Sequence, residues 1–399
     1  MTEICSSVDC CGCEVCANTC PQQCISFVAD NEGFFVPVID SAKCVDCKLC
    51  QKVCPANSEP KYNAPQESVY AAWALEDKIR QSSSSGGLYS IFANYCFSQG
   101  GVANGVIFND DLLAIHELFD SADKIIPCRG SKYVQSKPGN IYKRIKKELQ
   151  NDRMVFFAST PCQVNALYKF LGKDYENLYT CDFVCHGVPS PLFLRDCIHK
   201  MIPDNSAVTD ISFRDLTGWG RYNLNVKSDG KIYNEKLINN VYIKTFLAGA
   251  NCRFNCYHCP FTKGARVADI TIGDFWGLGK YKPFMHNTSK GVSLLMVNSK
   301  KGEALLDKVK DQLFLEKRSF REAARDNHQL RENVAMPVRR CDFYMDIRSL
   351  SPLEVIKKYK RRTPLWKKLL NFPLRVFFKI IRLGVNALKD KLICIVHEI

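Results

Sequence analysis

Two patterns of apolar residues alternate along this chain of 399 residues: stretches with helical periodicity and short continuous apolar runs. Helical periodicity marks residues 88–97 and 142–149, continues from Thr160-Pro161 to Leu171, and Pro189-Ser190-Pro191 opens another helix. Short apolar runs typical of buried strands occur at 102–108, 113–119, 154–158, 178–184, 210–213, 222–226, 267–272 and 293–297. This alternation predicts a body of the α/β or α+β class.

The pattern changes at both ends of this body. A turn at 31–33 leads into an apolar strand at 34–39, and the polar, proline-containing residues 57–67 predict a linker. After Pro373, apolar residues recur at three- and four-residue steps with basic residues between them, which predicts an amphipathic helix. We therefore expect four regions, 1–60, 68–150, 151–320 and a basic helical tail at 321–399.

The basic charge is concentrated in that tail. The net charge is +14, and residues 357–399 hold twelve Lys and Arg against Asp390 and Glu398. Because the rest of the chain is nearly neutral and does not interleave basic and aromatic residues, we expect no nucleic-acid partner. Two interpretations of 357–399 stay open: attachment to an anionic membrane surface, or a C-terminal helix packed on its own domain.

The first sixty residues contain one cysteine pattern twice, C-x2-C-x2-C-x3-C-P. The first run is Cys10, Cys13, Cys16 and Cys20, and the second is Cys44, Cys47, Cys50 and Cys54. This is the pattern of a bacterial two-cluster ferredoxin, in which the fourth cysteine of each run binds the other cluster. One [4Fe–4S] cluster would take Cys10, Cys13, Cys16 and Cys54, and the other Cys44, Cys47, Cys50 and Cys20. Disulfides and zinc are the alternatives, and the doubled set of four favours iron and sulfur.

The body adds further candidate sites. Ser82-Ser83-Ser84-Ser85-Gly86-Gly87 precedes a predicted helix, and Gly130-Ser131-Lys132-Tyr133 offers a cation, hydroxyls and an aromatic ring. A helix N-terminus after small residues suits phosphate, although such serine runs are more often flexible loops. Isolated cysteines fall at strand ends and in a C-x3-C-x2-C run: Cys162, Cys181, Cys185, Cys252, Cys256 and Cys259. They predict one more cubane, with zinc as the alternative. There is no Walker A loop and no G-x-G-x-x-G after a strand.

Five of these segments, in this order, resemble the coenzyme F420 hydrogenase/dehydrogenase beta-subunit family from about residue 68 to about residue 320. They are 83–87, 130–136, Thr160-Pro161-Cys162-Gln163, 185–191 and 268–277. The resemblance implies FAD and a [4Fe–4S] cluster in the body, bound by Cys162, Cys185, Cys256 and Cys259. Cys181 and Cys252 are extra, and either could replace one ligand. The flavin contacts implied are Ser85, Gly86, Gly87, Ser131, Lys132 and Tyr133.

Together these observations predict an iron–sulfur flavoprotein oxidoreductase that exchanges electrons between the clusters and FAD and reduces or oxidises an organic or deazaflavin acceptor. His186 is a candidate proton donor, with a structural role as the alternative. We expect a redox partner protein, such as a ferredoxin- or flavodoxin-like donor or a larger complex. The rival hypothesis is an electron-relay subunit without a substrate. The first residues lack a signal peptide's basic start and apolar stretch, so we expect a cytoplasmic location, or the inner face of the membrane if the tail attaches there.

Overall fold

The computed structural model describes residues 3–63, 68–214, 218–236 and 239–359. Those up to 358 belong to one compact unit. The helix predicted after Pro373 lies outside the described residues. The described helices are α1 Val15–Thr19, α2 Leu49–Val53, α3 Asp77–Gln81, α4 Leu88–Ser98, α5 Ile141–Gln150, α6 Pro161–Leu171, α7 Pro191–His199, α8 Val241–Leu247, α9 Lys300–Val309, α10 Phe320–Asp326, α11 Phe343–Ser349 and α12 Pro352–Tyr359. The described strands are β1 Ile25–Ala29, β2 Phe35–Ile39, β3 Val69–Ala74, β4 Val102–Phe108, β5 Ala114–Phe119, β6 Val155–Ser159, β7 Leu178–Phe183, β8 Val208–Arg214, β9 Tyr222–Ser228, β10 Lys231–Lys236, β11 Ile270–Asp274, β12 Ser293–Val297 and β13 Leu313–Arg318.

An eight-stranded sheet forms the centre of the body, in the order β13-β3-β12-β11-β7-β6-β4-β5. Its four middle strands, β11, β7, β6 and β4, are parallel, and the strands on either side pair antiparallel. Helices join the parallel strands, as such connections require. The mixed α/β class predicted from the pattern is therefore confirmed.

Helices cover this sheet on both faces, which explains why a central strand such as β6 is buried along its whole length. In β6, Phe156 packs into the core that holds α4 and α9, whereas its neighbour Phe157 packs into the core that holds α5 and α6. Successive side chains of a strand point to opposite faces. On β7 the same alternation sends Cys181 into the α4–α9 core.

Two smaller sheets complete the described fold. In the N-terminal module, β1 and β2 form an antiparallel hairpin, and the short helices α1 and α2 follow the cysteine loops. In the body, β8, β9 and β10 form an antiparallel sheet of their own, whose first strand ends at Arg214.

The predicted strands are present, and most of their boundaries differ from the prediction by one or two residues. The largest shift is at the start of β11. Strand β11 begins at Ile270 and not at 267. The reason is that the carbonyls of Val267 and Ala268 accept hydrogen bonds from the side-chain amide of Asn63, so this stretch binds the linker segment. The sequence pattern missed β1 and β10, which belong to the two smaller sheets, and β3 and β13, which extend the large sheet beyond β12.

The predicted boundary at 150 falls between neighbouring strands of a single sheet, because β4 and β6 pair directly. In the described part of 321–399, Ala323, Ala324 and Phe343 are buried. This stretch up to 358 therefore contributes to the body's core.

Candidate functional site

A cavity of about 360 Å³ opens at the carboxyl ends of the parallel strands β6, β7 and β11. Ser159 and Thr160 come from the end of β6, 183–188 from the end of β7 and beyond, and Asp274 from the end of β11. In open α/β sheets this edge is the usual place for a ligand, and the volume is within the range of small-molecule pockets.

The serine run and the 129–134 segment meet at one end of this cavity. The backbone N–H of Ser131 donates to Ser84 Oγ at 2.7 Å, and Arg129 Nη1 donates to Ser82 Oγ at 2.9 Å. Arg129 Nε also donates to Ser90 Oγ at 3.1 Å, on the first turn of α4. The two segments, far apart in sequence, thus form one polar, cationic wall, which we call the serine end.

Five of the six predicted flavin contacts line the cavity: Ser85, Gly87, Ser131, Lys132 and Tyr133. Gly86 lies behind the wall, where its N–H donates to Ser293 Oγ and an added Cβ would lie 2.4 Å from the carbonyl oxygen of Ala72. The hydroxyl of Ser85 is buried and has no hydrogen-bond partner among the described residues. Such an atom fits a bound polar ligand, because buried polar groups are nearly always paired.

Lys132 is the titratable group of the serine end. Its ammonium donates to the carbonyls of Pro127 at 2.9 Å and Cys128 at 3.4 Å, and no described carboxylate forms an ion pair with it. Burial lowers the pKa of Lys132 to about 8. An anion bound nearby would favour its charged form.

His186 lines the cavity, but both of its ring nitrogens face protein groups. Nε2 lies 3.1 Å from the carbonyl oxygen of Phe246, which can only accept, and Nδ1 lies 3.0 Å from Gln329 Nε2. This pairing corresponds to a neutral ring that donates through Nε2. The role of His186 as a proton donor stays a prediction, and this geometry favours the structural alternative.

Another part of the cavity wall is aromatic and contains an ion pair that the sequence did not reveal. Arg214 Nη2 lies 2.5 Å from Asp274 Oδ2, and Arg214 Nε donates to the Tyr133 hydroxyl at 2.7 Å. Tyr222 and Trp276 flank the guanidinium, with ring centroids 4.3 Å and 5.4 Å from it. We call this the arginine end. No motif marks Arg214 in the sequence, since it is simply the last residue of β8.

Four body cysteines converge beside the cavity, namely Cys162, Cys185, Cys256 and Cys259, which we call the core set. The thiols of Cys162, Cys185 and Cys259 interact electrostatically, as do those of Cys256, Cys185 and Cys259. Burial is the largest cause that raises the pKa of Cys185 and Cys259, and Arg266 acts in the opposite direction on both. A buried cation suits the negative charge of a thiolate-bound cluster.

Each core-set sulfur also interacts with a backbone N–H group, that of Gln163, Gly187, Val188 and Phe261 respectively. Hydrogen bonds to cluster sulfurs stabilise thiolates and help to set the reduction potential. Cys252 lies next to Cys185 and Cys256, but its sulfur interacts with no backbone N–H among the described residues. Cys181 lies in the core on the other side of the sheet. The sheet therefore separates Cys181 from the core set, whereas Cys252 lies beside it, and the choice of the four ligands stays a prediction.

Gly187 allows these sulfurs to lie close to the cavity wall. Its φ of +118° is accessible to glycine, and an added Cβ would lie 3.0 Å from Cys252 Sγ. Cys185 belongs to the core set and also lines the cavity. The Cys185 side chain thus connects the core set with the cavity wall.

In the N-terminal module the cysteines of the two runs lie among one another, an arrangement that crossed clusters would require. Cys16, of the first run, interacts with Cys10 and also with Cys54 of the second run. Cys50 interacts with Cys47 and with Cys20 of the first run. No three His, Cys, Asp or Glu side chains of the described residues form a site for a single metal ion. In a cubane each thiolate instead binds its own iron.

Three cysteines outside the motifs adjoin these sets and were not singled out from the sequence. Cys5 interacts with Cys10 and Cys54, and Cys24 Sγ lies 3.4 Å from Cys20 Sγ. Cys11 interacts both with Cys13 of the first run and with Cys162 of the core set. The neighbouring sulfurs of Cys13, Cys11 and Cys162 therefore lead from the N-terminal module into the body, and we call them the line of sulfurs.

Body side chains bind the main chain of the first cysteine loop. Arg253 Nε donates to the carbonyl of Cys10 at 2.6 Å, and its Nη1 donates to Gln135 Oε1 at 3.0 Å. Gln135 Nε2 donates in turn to the carbonyl of Cys11 at 3.3 Å. Gly12 has a φ of +65°, and an added Cβ would meet Gln135 Nε2. The loop is thus docked against residues adjacent to the core set and the cavity.

Comparison with known protein families gives three matches. Residues 69–140 match the N-terminal part of the coenzyme F420 hydrogenase/dehydrogenase beta subunit, and residues 152–323 match the C terminus of that same beta subunit. Residues 9–58 match the 4Fe-4S dicluster domain. The two beta-subunit matches together span more than half of the chain. The chain belongs to the coenzyme F420 hydrogenase/dehydrogenase beta-subunit family. Its N-terminal dicluster domain binds iron–sulfur clusters.

No curated protein matches the chain. Among solved structures, the chain is similar to one in the F420-reducing [NiFe] hydrogenase complex from Methanosarcina barkeri. The two are 14% identical, the similarity covers 70% of this chain and 97% of that chain, and the TM-score is 0.44. No helix in the described ranges of this beta-subunit family member has the length and apolar character needed to span a membrane.

Both family segments of this beta-subunit family member contribute to the cavity. The N-terminal segment supplies Ser85 and Lys132, and the C-terminal segment supplies Cys185, Arg214 and Asp274. The dicluster domain adjoins the C-terminal segment through Cys11 and Cys162. The three matched regions therefore meet around one line of sulfurs and one cavity.

Proposed function

We propose that this chain is an iron–sulfur flavoprotein oxidoreductase with two [4Fe–4S] clusters in the dicluster domain, a third bound by the core set, and FAD in the cavity. When bound, the clusters would supply one-electron transfer and the flavin would supply two-electron exchange with an organic or deazaflavin acceptor. Electron flow in either direction is compatible with the same cofactors and residues.

The observation that carries this proposal is that Cys185 belongs both to the cavity wall and to the core set. It lines the cavity, and it belongs to a sulfur set that reaches Cys13 of the dicluster domain through Cys162 and Cys11. A one-electron carrier on this line would stand beside any molecule in the cavity. A flavin supplies the conversion between one-electron and two-electron transfer.

The residues of the cavity fit FAD. The serine end has two cations, Arg129 and Lys132, without a carboxylate in salt-bridge contact in the part of the chain that the structure describes, and it lies at the N-terminus of α4. Cations and helix N-termini suit a diphosphate. The arginine end offers aromatic walls suited to a planar ring.

The chain's own residues perform four tasks in this proposal. Lys132 and Arg129 bind and orient the phosphates, and the backbone N–H groups at the core-set sulfurs stabilise the thiolates. Tyr222 and Trp276 exclude water from the arginine end. Cys11 fills the space between the first cysteine loop and the core set with polarisable sulfur.

Anaerobic purification tests the proposal directly. We expect about twelve irons, an equal amount of sulfide and about one FAD per chain, from three cubanes and one flavin. Measurement of iron, acid-labile sulfide and released flavin decides the matter. About eight irons would remove the core cluster from the proposal, and absence of flavin would remove the chemistry of the cavity.

A second candidate is an electron-relay subunit without a substrate of its own, since the family is described as a beta subunit. The same clusters would then serve a larger redox complex. Turnover of the isolated chain with an artificial donor and a small acceptor supports the oxidoreductase. Activity that appears only with a partner protein supports the relay.

The pKa of Lys132 leads to a prediction about pH. The charged ammonium of Lys132 attracts a diphosphate, and the pKa of Lys132 is about 8. FAD should therefore bind more tightly at pH values below 8 than at pH values above it. Affinity should fall several-fold as the pH rises from about 7 to about 9, because the free amine carries no charge. Fluorescence titration of FAD at the two pH values measures this change.

Two variants serve as controls for this prediction. Lys132→Gln should weaken FAD binding at neutral pH and flatten its pH dependence. Lys124→Gln removes an exposed lysine that pairs with Asp120, so both the affinity and its pH profile should stay unchanged. An unchanged profile in Lys132→Gln would assign the titration to another group.

The position of the second cluster set suggests where a redox partner binds. Cys47 of this set is exposed, whereas Cys13 and Cys16 of the first set are buried. We therefore propose that a donor or acceptor protein approaches the Cys47 side. A cytoplasmic location, which favours reduced thiols, and membrane attachment through 357–399 stay predictions from the sequence.

A further inference from the structure

The arginine end contains a buried hydrogen-bond donor with nothing to bind. Arg214 lines the cavity, its side chain is only 6% exposed, and Nη1 has no hydrogen-bond partner among the described residues. Buried donors of folded proteins are nearly always paired. A donor left over in a cavity wall points to a ligand that accepts from it.

The rest of the guanidinium is held in place, which leaves Nη1 as a preorganised donor. Asp274 binds Nη2 and Tyr133 binds Nε, while Trp219 Nε1 donates to Asp274 Oδ1 at 2.7 Å and orients the carboxylate. Arginine can hold one partner through part of its fork and offer the remaining donors to another. The guanidinium therefore loses little additional entropy when a ligand binds.

The surrounding side chains define the shape of that ligand. Tyr133, Tyr222, Phe246 and Trp276 line this end of the cavity, and Trp219 stacks on Trp276 with ring centroids 5.3 Å apart and planes inclined by 5°. Aromatic walls favour flat conjugated rings. A charged donor among them favours an anionic oxygen at the edge of the ring.

We propose that the arginine end is a subsite for a planar ring that carries an anionic oxygen, and that Arg214 Nη1 binds this oxygen. The inference rests on the proposed function, because the ring is either the acceptor or the pyrimidine edge of the flavin. In the first case Arg214 determines which acceptors the chain uses. In the second case it stabilises the negative charge that the flavin gains on reduction.

Benzoate and benzamide test the subsite, since they share a ring and differ in charge. The full chain is prepared anaerobically, and each compound is titrated calorimetrically into flavin-depleted and FAD-saturated samples. We expect benzoate to bind at least about tenfold more tightly than benzamide to flavin-depleted protein. Retained binding after FAD saturation assigns the subsite to the acceptor, and lost binding assigns it to the flavin edge.

Variants identify the residue responsible. Arg214→Gln should abolish the preference for benzoate, and Arg129→Gln, which removes the same charge at the serine end, should retain it. The double variant Arg214→Gln with Asp274→Asn avoids an unpaired buried carboxylate and should behave like Arg214→Gln. Equal affinities of the two compounds for the unmodified chain, or a preference that survives Arg214→Gln, would overturn the proposal. Iron and flavin contents measured on the same samples report separately on the proposed function.

Discussion

Replacing Cys162 by alanine should remove about four of the roughly twelve irons per chain, because a cubane needs all four of its thiolates. Cys162 is the core-set member that also contacts Cys11, so the variant interrupts the line of sulfurs between the dicluster domain and the cavity. We therefore also expect the flavin to accept electrons far more slowly from a donor that reduces the dicluster domain. Iron analysis and anaerobic stopped-flow absorbance measure the two effects.

Cys181→Ala is the matched control for this experiment. Cys181 is fully buried, whereas Cys162 is half-buried, so its loss should cost at least as much packing. Its sulfur lies in the core on the other face of the sheet, so the iron content should not change. Cys252→Ala should also keep its irons. Loss of iron from Cys181→Ala or Cys252→Ala, with none from Cys162→Ala, would show that the ligand set is incorrect.

Arg253→Met should release the dicluster domain from the body. Arg253 is 4% exposed and binds three oxygens, those of the Cys10 and Phe35 backbones and of the Gln135 side chain. Leaving buried acceptors unpaired costs about 3 kcal/mol, which raises the undocked population about a hundredfold. Limited trypsin cleavage after the exposed Lys61, between the two parts, should accelerate by a similar factor.

Arg348→Met is the control for this second prediction. Arg348 Nη2 donates to the backbone carbonyl of Asn31 at 2.7 Å, so it too joins the body to the dicluster domain. That bond is exposed, and exposed contacts contribute within about 0.5 kcal/mol. The cleavage rate should therefore stay near that of the unmodified chain. Equal trypsin cleavage rates in Arg253→Met and Arg348→Met would show that the buried contacts of Arg253 do not hold the dicluster domain against the body.

In the proposed function, the contacts of Arg253 with the first cysteine loop and the line of sulfurs serve the same requirement. Electron transfer between clusters needs a short, fixed separation, and Gln135 connects the first cysteine loop to the segment that carries Lys132 and Tyr133. Arg340 adds a second buried tie, with Nη1 and Nη2 bound to the carboxylate of Glu32. The dicluster domain is therefore part of a rigid arrangement around the cavity.

Sequence patterns select candidate ligands most directly where a site depends on short spacing. The two N-terminal cysteine runs place their sulfurs by local loop geometry, so residue type and interval were sufficient to propose them as ligands, whereas the core set was selected through the resemblance to the family. The serine run and Gly130–Tyr133 were also recognised, and Ser131 and Ser84 are directly bonded. Gly86 was selected by the same motif, yet it packs behind the wall, because a motif does not say which of its members face the ligand.

The sequence by itself determined the mixed α/β class and the dicluster domain, because these follow from local period and spacing. Its resemblance to the beta-subunit family implied the two segments that line the cavity. Only the tertiary structure decided that Cys181 lies across the sheet from the core set, that Cys11 joins Cys13 to Cys162, and that Arg214 and Arg253 matter. The physical reason is that these features depend on the direction of single side chains and on contacts between segments far apart in the chain. The sequence alone does not distinguish a buried arginine from an exposed one, because the difference lies in the partners that the fold brings to it.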